Sequence, residues 1–113
     1  MADHIIIRPA TGTWVVRAGG AVLGESTQAQ ELIEEDREPV IYFPRGDIAM
    51  TFMDASDHKT TCPHKGEASY YSIVTKSNTL TDSVWSYEDP KDAAAQIKGY
   101  LAFYTDRVAV EQI

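Results

Sequence analysis

The sequence predicts a mostly β domain of the α+β kind, with small antiparallel sheets and one helix in the C-terminal half near residues 90–98. Three observations lead there. A Gly19-Gly20 pair lies between two runs in which apolar and polar residues alternate. Further short extended runs follow, separated by Pro, Gly and Asn. Only one later stretch, beginning at Asp89, carries the start signals of a helix.

Residues 14–25 read as a β-hairpin whose two-residue loop, Gly19-Gly20, tolerates positive φ at both positions. Closed there, Ala18 faces Ala21 and Val16 faces Leu23. Trp14, Val16 and Leu23 then share one face and Arg17 points away. Residues 28–38 are acidic and helix-prone, with only Leu32 and Ile33 as anchors, and read as a short helix or a loop. Residues 40–43 form a strand stopped by Pro44, and extended structure resumes over 48–53. Pro63 and Gly66 make residues 59–66 a loop. Residues 69–75 and 79–85 form a second hairpin turning at Lys76-Ser77-Asn78. In the helix, Asp89 serves as N-cap, Pro90 takes the first position, and Asp92 adds negative charge at the start. Ala93, Ile97 and Leu101 recur four apart, and Gly99 is the stop. Residues 100–104 and 108–110 supply closing strands.

The 113 residues fit one domain, 1–113, and are too few for two independent cores. A formal net charge of -7 with no compensating Lys/Arg cluster excludes nucleic acid and anionic membranes as partners, though a small anionic ligand can still find a local basic pocket. Single Cys62 allows no internal disulfide and suits a reducing compartment. The first four residues lack a basic leader, and no apolar run approaches the ~18 residues of a membrane span. A cytoplasmic location is expected, and nothing indicates an oligomer.

Four blocks in order carry a family resemblance: Tyr42-Phe43-Pro44-Arg45-Gly46-Asp47, then Cys62-Pro63-His64-Lys65-Gly66, then Trp85-Ser86-Tyr87 with Pro90, then Ala102-Phe103-Tyr104. Together they resemble Domain of Unknown Function 427, a family of uncharacterised bacterial proteins sometimes labelled nucleotidyltransferases. The resemblance runs from about Trp14 to Val110, and His64 stands where a bulky, often aromatic residue is the family habit. It implies a β-tent fold like that of Mss4 and of the methionine sulfoxide reductase B family. Those relatives hold zinc between two Cys-x-x-Cys knuckles, which one cysteine cannot supply. The family brings no established activity.

Candidate chemistry gathers in two loops, Arg45 with Asp47, and Asp57, His58, Thr60, Cys62, His64, Lys65 and Glu67. Mixed acid, base, thiol and amine groups on Pro/Gly-bounded loops are how binding sites are often built, although loops are polar in any case and Asp47 could simply cap a turn. Joined by the aromatic Tyr42 and Tyr70, the expected ligand-binding set is Tyr42, Arg45, Asp47, His58, Cys62, Lys65 and Tyr70. Within it Cys62, Lys65 and Asp47 are the candidates for catalysis. The two loops are expected to converge, with Asp47 and Lys65 at one pocket and Cys62 at its wall.

Cys62 could be an activated thiol or a packed one, and Lys65 an anion-binding cation, an amine nucleophile or an exposed charge. Gly66 would let a ligand approach the backbone closely. The spacing His58-x-x-x-Cys62-x-His64 is not that of a zinc knuckle, so neither metal nor cofactor is expected. Two-metal nucleotidyl transfer would need paired carboxylates after a Gly-Ser turn, and the chain has no such pair and no phosphate-cradling glycine loop. Of Tyr70 and Tyr71, strand alternation sends one inward. A small-ligand-binding or small enzymatic domain is the leading expectation, a protein-partner-binding module the alternative, and nucleotidyltransferase-like activity an outside one.

Overall fold

The structure, a computed structural model, describes residues 5–113; the expectation of a leaderless start falls on residues 1–4, outside the described part. Ten strands run in order: β1 (Ile5–Pro9), β2 (Trp14–Ala18), β3 (Ala21–Ser26), β4 (Gln30–Glu34), β5 (Val40–Tyr42), β6 (Met53–Cys62), β7 (Gly66–Val74), β8 (Thr79–Ser86), β9 (Ala102–Phe103) and β10 (Ala109–Gln112). They form three antiparallel sheets with strand orders β1-β4-β5, β10-β2-β3 and β6-β7-β8-β9. The domain is mostly β, as its sequence predicts.

The first hairpin closes at Gly19-Gly20 with Ala18 opposite Ala21, but its register slips between Val16 and Arg17, so Val16 faces Gly24 rather than Leu23. Leu23 is the extra residue of a β-bulge. It still joins Val16 in the core while Arg17 and Val22 stay outside. Only Gly19 has positive φ, at 59°.

Residues 30–34 are a strand, not a helix or loop. Their helix propensity is overridden by pairing with β1 on one side and β5 on the other, which buries Leu32. Residues 59–62 likewise belong to an edge strand, β6, and the turn shrinks to 63–65. Three-residue 3₁₀ turns occupy Arg45–Asp47 and Met50–Phe52. The predicted helix is a 3₁₀ segment, Asp92–Ile97, kinked at Ala94. Neither Asp89 nor any other side chain caps it, because the chain at 89–91 is taken up by the 63–66 turn, where the Lys91 N–H donates to Lys65 O at 3.0 Å. Its buried residues, Ala94 and Ile97, are three apart, the 3₁₀ period. Leu101 lies beyond it, bridging to Phe43. Gly99, with φ 75°, turns the chain and donates its N–H to Tyr87 O.

Two cores result. The larger packs Val16, Leu23, Phe43, Ile48, Ile73, Val84, Leu101 and Phe103 between the β10-β2-β3 sheet and the four-stranded one. The smaller joins Leu32, Tyr42, Ala68, Tyr70, Tyr87, Ala94 and Ile97. Three of its members are tyrosines, and the cavity described next opens there. Among the described residues no helix is long and apolar enough to cross a membrane.

Candidate functional site

Strand alternation builds one wall of the cavity. Leu32 and Glu34 point the same way along β4, and Val40 and Tyr42, opposite Leu32 and Gln30 on β5, join that face. Tyr70 on β7 pairs with Trp85 on β8, forming a second wall, which Tyr87 and Tyr104 extend past the ends of β8 and β9. Lys65 enters from the β6–β7 turn. The half-open cavity is about 270 Å³ and is lined by Glu34, Tyr42, Lys65, Tyr70, Trp85, Tyr87 and Tyr104, together with Leu32 and Val40 and the exposed Arg37 and Glu38.

The turn that carries Lys65 is held from behind. Gly66 has φ 109°, and a Cβ there would lie 3.5 Å from Asp89 O and Lys91 N, so the backbone that comes close to Gly66 is the chain's own. Lys91 Nζ also donates to Pro63 O at 2.8 Å. Lys65 is thereby driven inward until only 7% of it is exposed. Its ammonium donates to Glu34 Oε1 and sits 6.0 Å from the centre of the Tyr87 ring. Glu34 is its only side-chain acceptor among the described residues, which leaves two of three ammonium N–H groups for other acceptors.

The phenols are fixed in part by one another. Trp85 Nε1 donates to the Tyr42 hydroxyl at 3.1 Å, with the two rings edge-on. Thr60 Oγ1, Tyr70 and Tyr104 form a hydroxyl chain at 3.0 and 3.3 Å. The Tyr87 hydroxyl has no side-chain hydrogen-bond partner among the described residues, and it is open to the cavity: Tyr87 as a whole is only 6% exposed, but its oxygen is not a sealed atom. Burial, more than any neighbouring charge, pushes the Tyr42 and Tyr87 hydroxyls well above the ordinary phenol range and Tyr104 up to about 12. All three are therefore neutral O–H groups at neutral pH.

Of the residues singled out from sequence, Tyr42, Lys65 and Tyr70 meet in this cavity. Asp47 does not line it: its carboxylate accepts from Ser26 Oγ at 2.6 Å, and the Arg45–Asp47 turn docks on β3 where Gly24 bridges to Ile48. The expected pairing of Asp47 with Lys65 is replaced by Glu34 with Lys65. Arg45 bonds Tyr71, Ser86 and Glu88, and Tyr71 packs half-buried against the larger core, on the other face of β7 from Tyr70. His58 is exposed on β6 with its ring 4.5 Å from that of Tyr70. Cys62 is half-buried at the end of β6, packed beside the smaller core rather than in the cavity wall. Asp57 and Glu67 are exposed and His64 is half-buried. Among the described residues no group of three or more His, Cys, Asp or Glu side chains is placed to hold a metal ion.

Glu34, Tyr87 and Tyr104 were not in the expected set. Glu34 reads in sequence as part of a solvated acidic run, yet the alternation Gln30-Leu32-Glu34 places it beside the buried Leu32 once residues 30–34 are taken as a strand. The arrangement defines a small antiparallel β domain with a phenol-lined cavity around one buried ion pair. The chain belongs to the family described as Domain of unknown function (DUF427), whose model matches residues 6–113. No curated protein matches the chain.

Proposed function

We propose that this is a small-ligand-binding domain that holds a small anionic molecule in the cavity around Lys65. The observation that carries the reading is a buried ammonium beside open space, with one acceptor on the protein and two donors left over. A buried ion pair is a poor way to gain stability, since two apolar side chains of the same volume would do as well or better. What it does provide is a fixed donor in a low-dielectric wall, where an incoming acceptor is bound more strongly than in water. The Tyr87 O–H adds a second donor without a protein partner.

The volume is at the small end for ligand sites, about nine waters' worth, so the ligand is a metabolite-sized fragment rather than a polymer. The net charge of -7 supports the same limit, because it repels nucleic acid and anionic membranes as wholes while a single local cation can still hold one anionic group. A cytoplasmic setting and a β-tent likeness accompany this reading; the lone, half-buried Cys62 supports the first and the three small antiparallel sheets the second. The test is a thermal-shift screen of small anions (phosphate, acetate, benzoate, citrate) against the wild type and Lys65→Met. The reading expects at least one anion to raise Tm in a saturable way in the wild type only. Equal shifts in both proteins, or none in either, would refute it.

A further inference from the structure

We infer that the ligand is a small aromatic carboxylate, its carboxylate on Lys65 and Tyr87 and its ring against Trp85 and Tyr104. The inference rests on the binding reading above and assigns its chemical class.

The acid group follows from the donors. Among the described residues the ammonium of Lys65 keeps two N–H groups without a protein acceptor, and the Tyr87 hydroxyl, open to the cavity, keeps its own. The Lys65 ammonium stands 6.0 Å from the Tyr87 ring centre, and both side chains line the cavity. A group that accepts from two directions fits there, and a carboxylate offers two oxygens with about four lone-pair sites. Burial keeps the Tyr87 phenol protonated, so it donates to an anion and does not compete as one.

The ring follows from the aromatic wall. Trp85 and Tyr104 stand with centroids 4.7 Å apart and planes tilted by 48°, and both face the cavity. Trp85 is held by its N–H on Tyr42 and Tyr104 by its hydroxyl on Tyr70, so neither ring has to be ordered when a ligand arrives. Preformed, tilted π-faces favour a flat ring, which can stack on one and meet the edge of the other, over a saturated ring of equal size. A second cleft of about 410 Å³, lined by Trp14, Ile41 and Phe103, shares Trp85 and Tyr104 with the first cavity. The exposed Arg37 and Glu38 cancel in charge, as Lys65 and Glu34 do further in, so the acid is held by directed N–H and O–H donors rather than by a net positive field.

The experiment titrates benzoate, cyclohexanecarboxylate, benzyl alcohol and inorganic phosphate into the full chain, following tryptophan fluorescence and ligand-observed NMR. Benzoate is expected to bind about tenfold or more tightly than cyclohexanecarboxylate or benzyl alcohol, because each lacks one of the two recognised features. Tyr87→Phe, which removes one hydroxyl and no packing, is expected to weaken benzoate severalfold and leave benzyl alcohol unchanged. It reads the site even where Lys65→Met loses too much stability to be used. Cyclohexanecarboxylate matching benzoate would overturn the aromatic class and leave the anion reading standing, as would phosphate binding alone. Benzyl alcohol matching benzoate would overturn the acid. Failure of all four probes would overturn both this inference and the binding reading beneath it.

Discussion

Lys65, on the β6–β7 turn, and Glu34, at the end of β4, form an ion pair across two sheets, with side chains only 9% and 14% exposed. The pair ties the β1-β4-β5 sheet to the turn of the four-stranded sheet in the lining of the cavity. Its energetics lead to the first prediction. Glu34→Leu strands a buried ammonium and is expected to cost about 3 kcal/mol, and Lys65→Met about 2 kcal/mol. The double variant Glu34→Leu/Lys65→Met is expected within about 1 kcal/mol of wild type, since paired removal returns the desolvation penalty. Urea unfolding of the four proteins checks this; strictly additive losses would show that the two charges do not meet.

The second prediction separates two adjacent glycines. Gly19 has φ 59°, whereas Gly20 is outside the left-handed region, and neither has a neighbour that a Cβ would strike. Gly19→Val is therefore expected to destabilise by about 1–2 kcal/mol, through backbone strain alone, and Gly20→Val by less than about half of that. Equal unfolding midpoints for the two variants would contradict the turn geometry.

Asp47 supplies the third. Its carboxylate accepts from Ser26, and a Cβ on Gly24 would lie 2.6 Å from Asp47 O, so the turn rests directly on β3. Asp47→Ala is expected to lower stability by about 1 kcal/mol and to leave anion binding at Lys65 unchanged. A loss of binding with no loss of stability would return Asp47 to the site.

The outcome at Asp47 shows what the sequence could disclose. Hairpins were legible because Gly19-Gly20 and Lys76-Ser77-Asn78 are local turn signals, and Tyr42, Lys65 and Tyr70 were legible as chemistry near structure-breaking residues. The partner of Lys65 was not. It lies 31 positions away on a strand whose Glu-rich composition reads as helix or loop, and only pairing with β1 and β5 makes it a strand. The bulge at Leu23 was hidden for a similar reason, since an extra residue in one strand changes register without changing the apolar pattern. The helix failed in kind because Asp89 and Pro90, good starting residues, are engaged by the 63–66 turn.

The fourth prediction concerns alkaline pH. Tyr42, Tyr87 and Tyr104 all have hydroxyls raised above the unfolded phenol value of about 10. Above that pH the unfolded chain releases protons that the folded one keeps, so stability is fully present below about pH 10 and falls as pH rises further. For Tyr104 the loss is complete near pH 12. Tyr87→Phe, which breaks no hydrogen bond within the described chain, is expected to make the fall shallower by up to one proton, or about 1.4 kcal/mol per pH unit. Urea midpoints measured from pH 8 to 11.5 check the slope; identical slopes would mean that Tyr87 ionises in the folded state as freely as in water.

The most direct test of the central claim, that Lys65 is the anchor of a ligand site, is an NMR titration of ¹³C/¹⁵N-labelled protein with benzoate. The account predicts a saturable shift of the Lys65 Nζ and Cε signals and of the Tyr87 ring, with the Arg45 and Asp47 backbone unmoved. Shifts centred on Arg45 and Asp47 with Lys65 silent would contradict it.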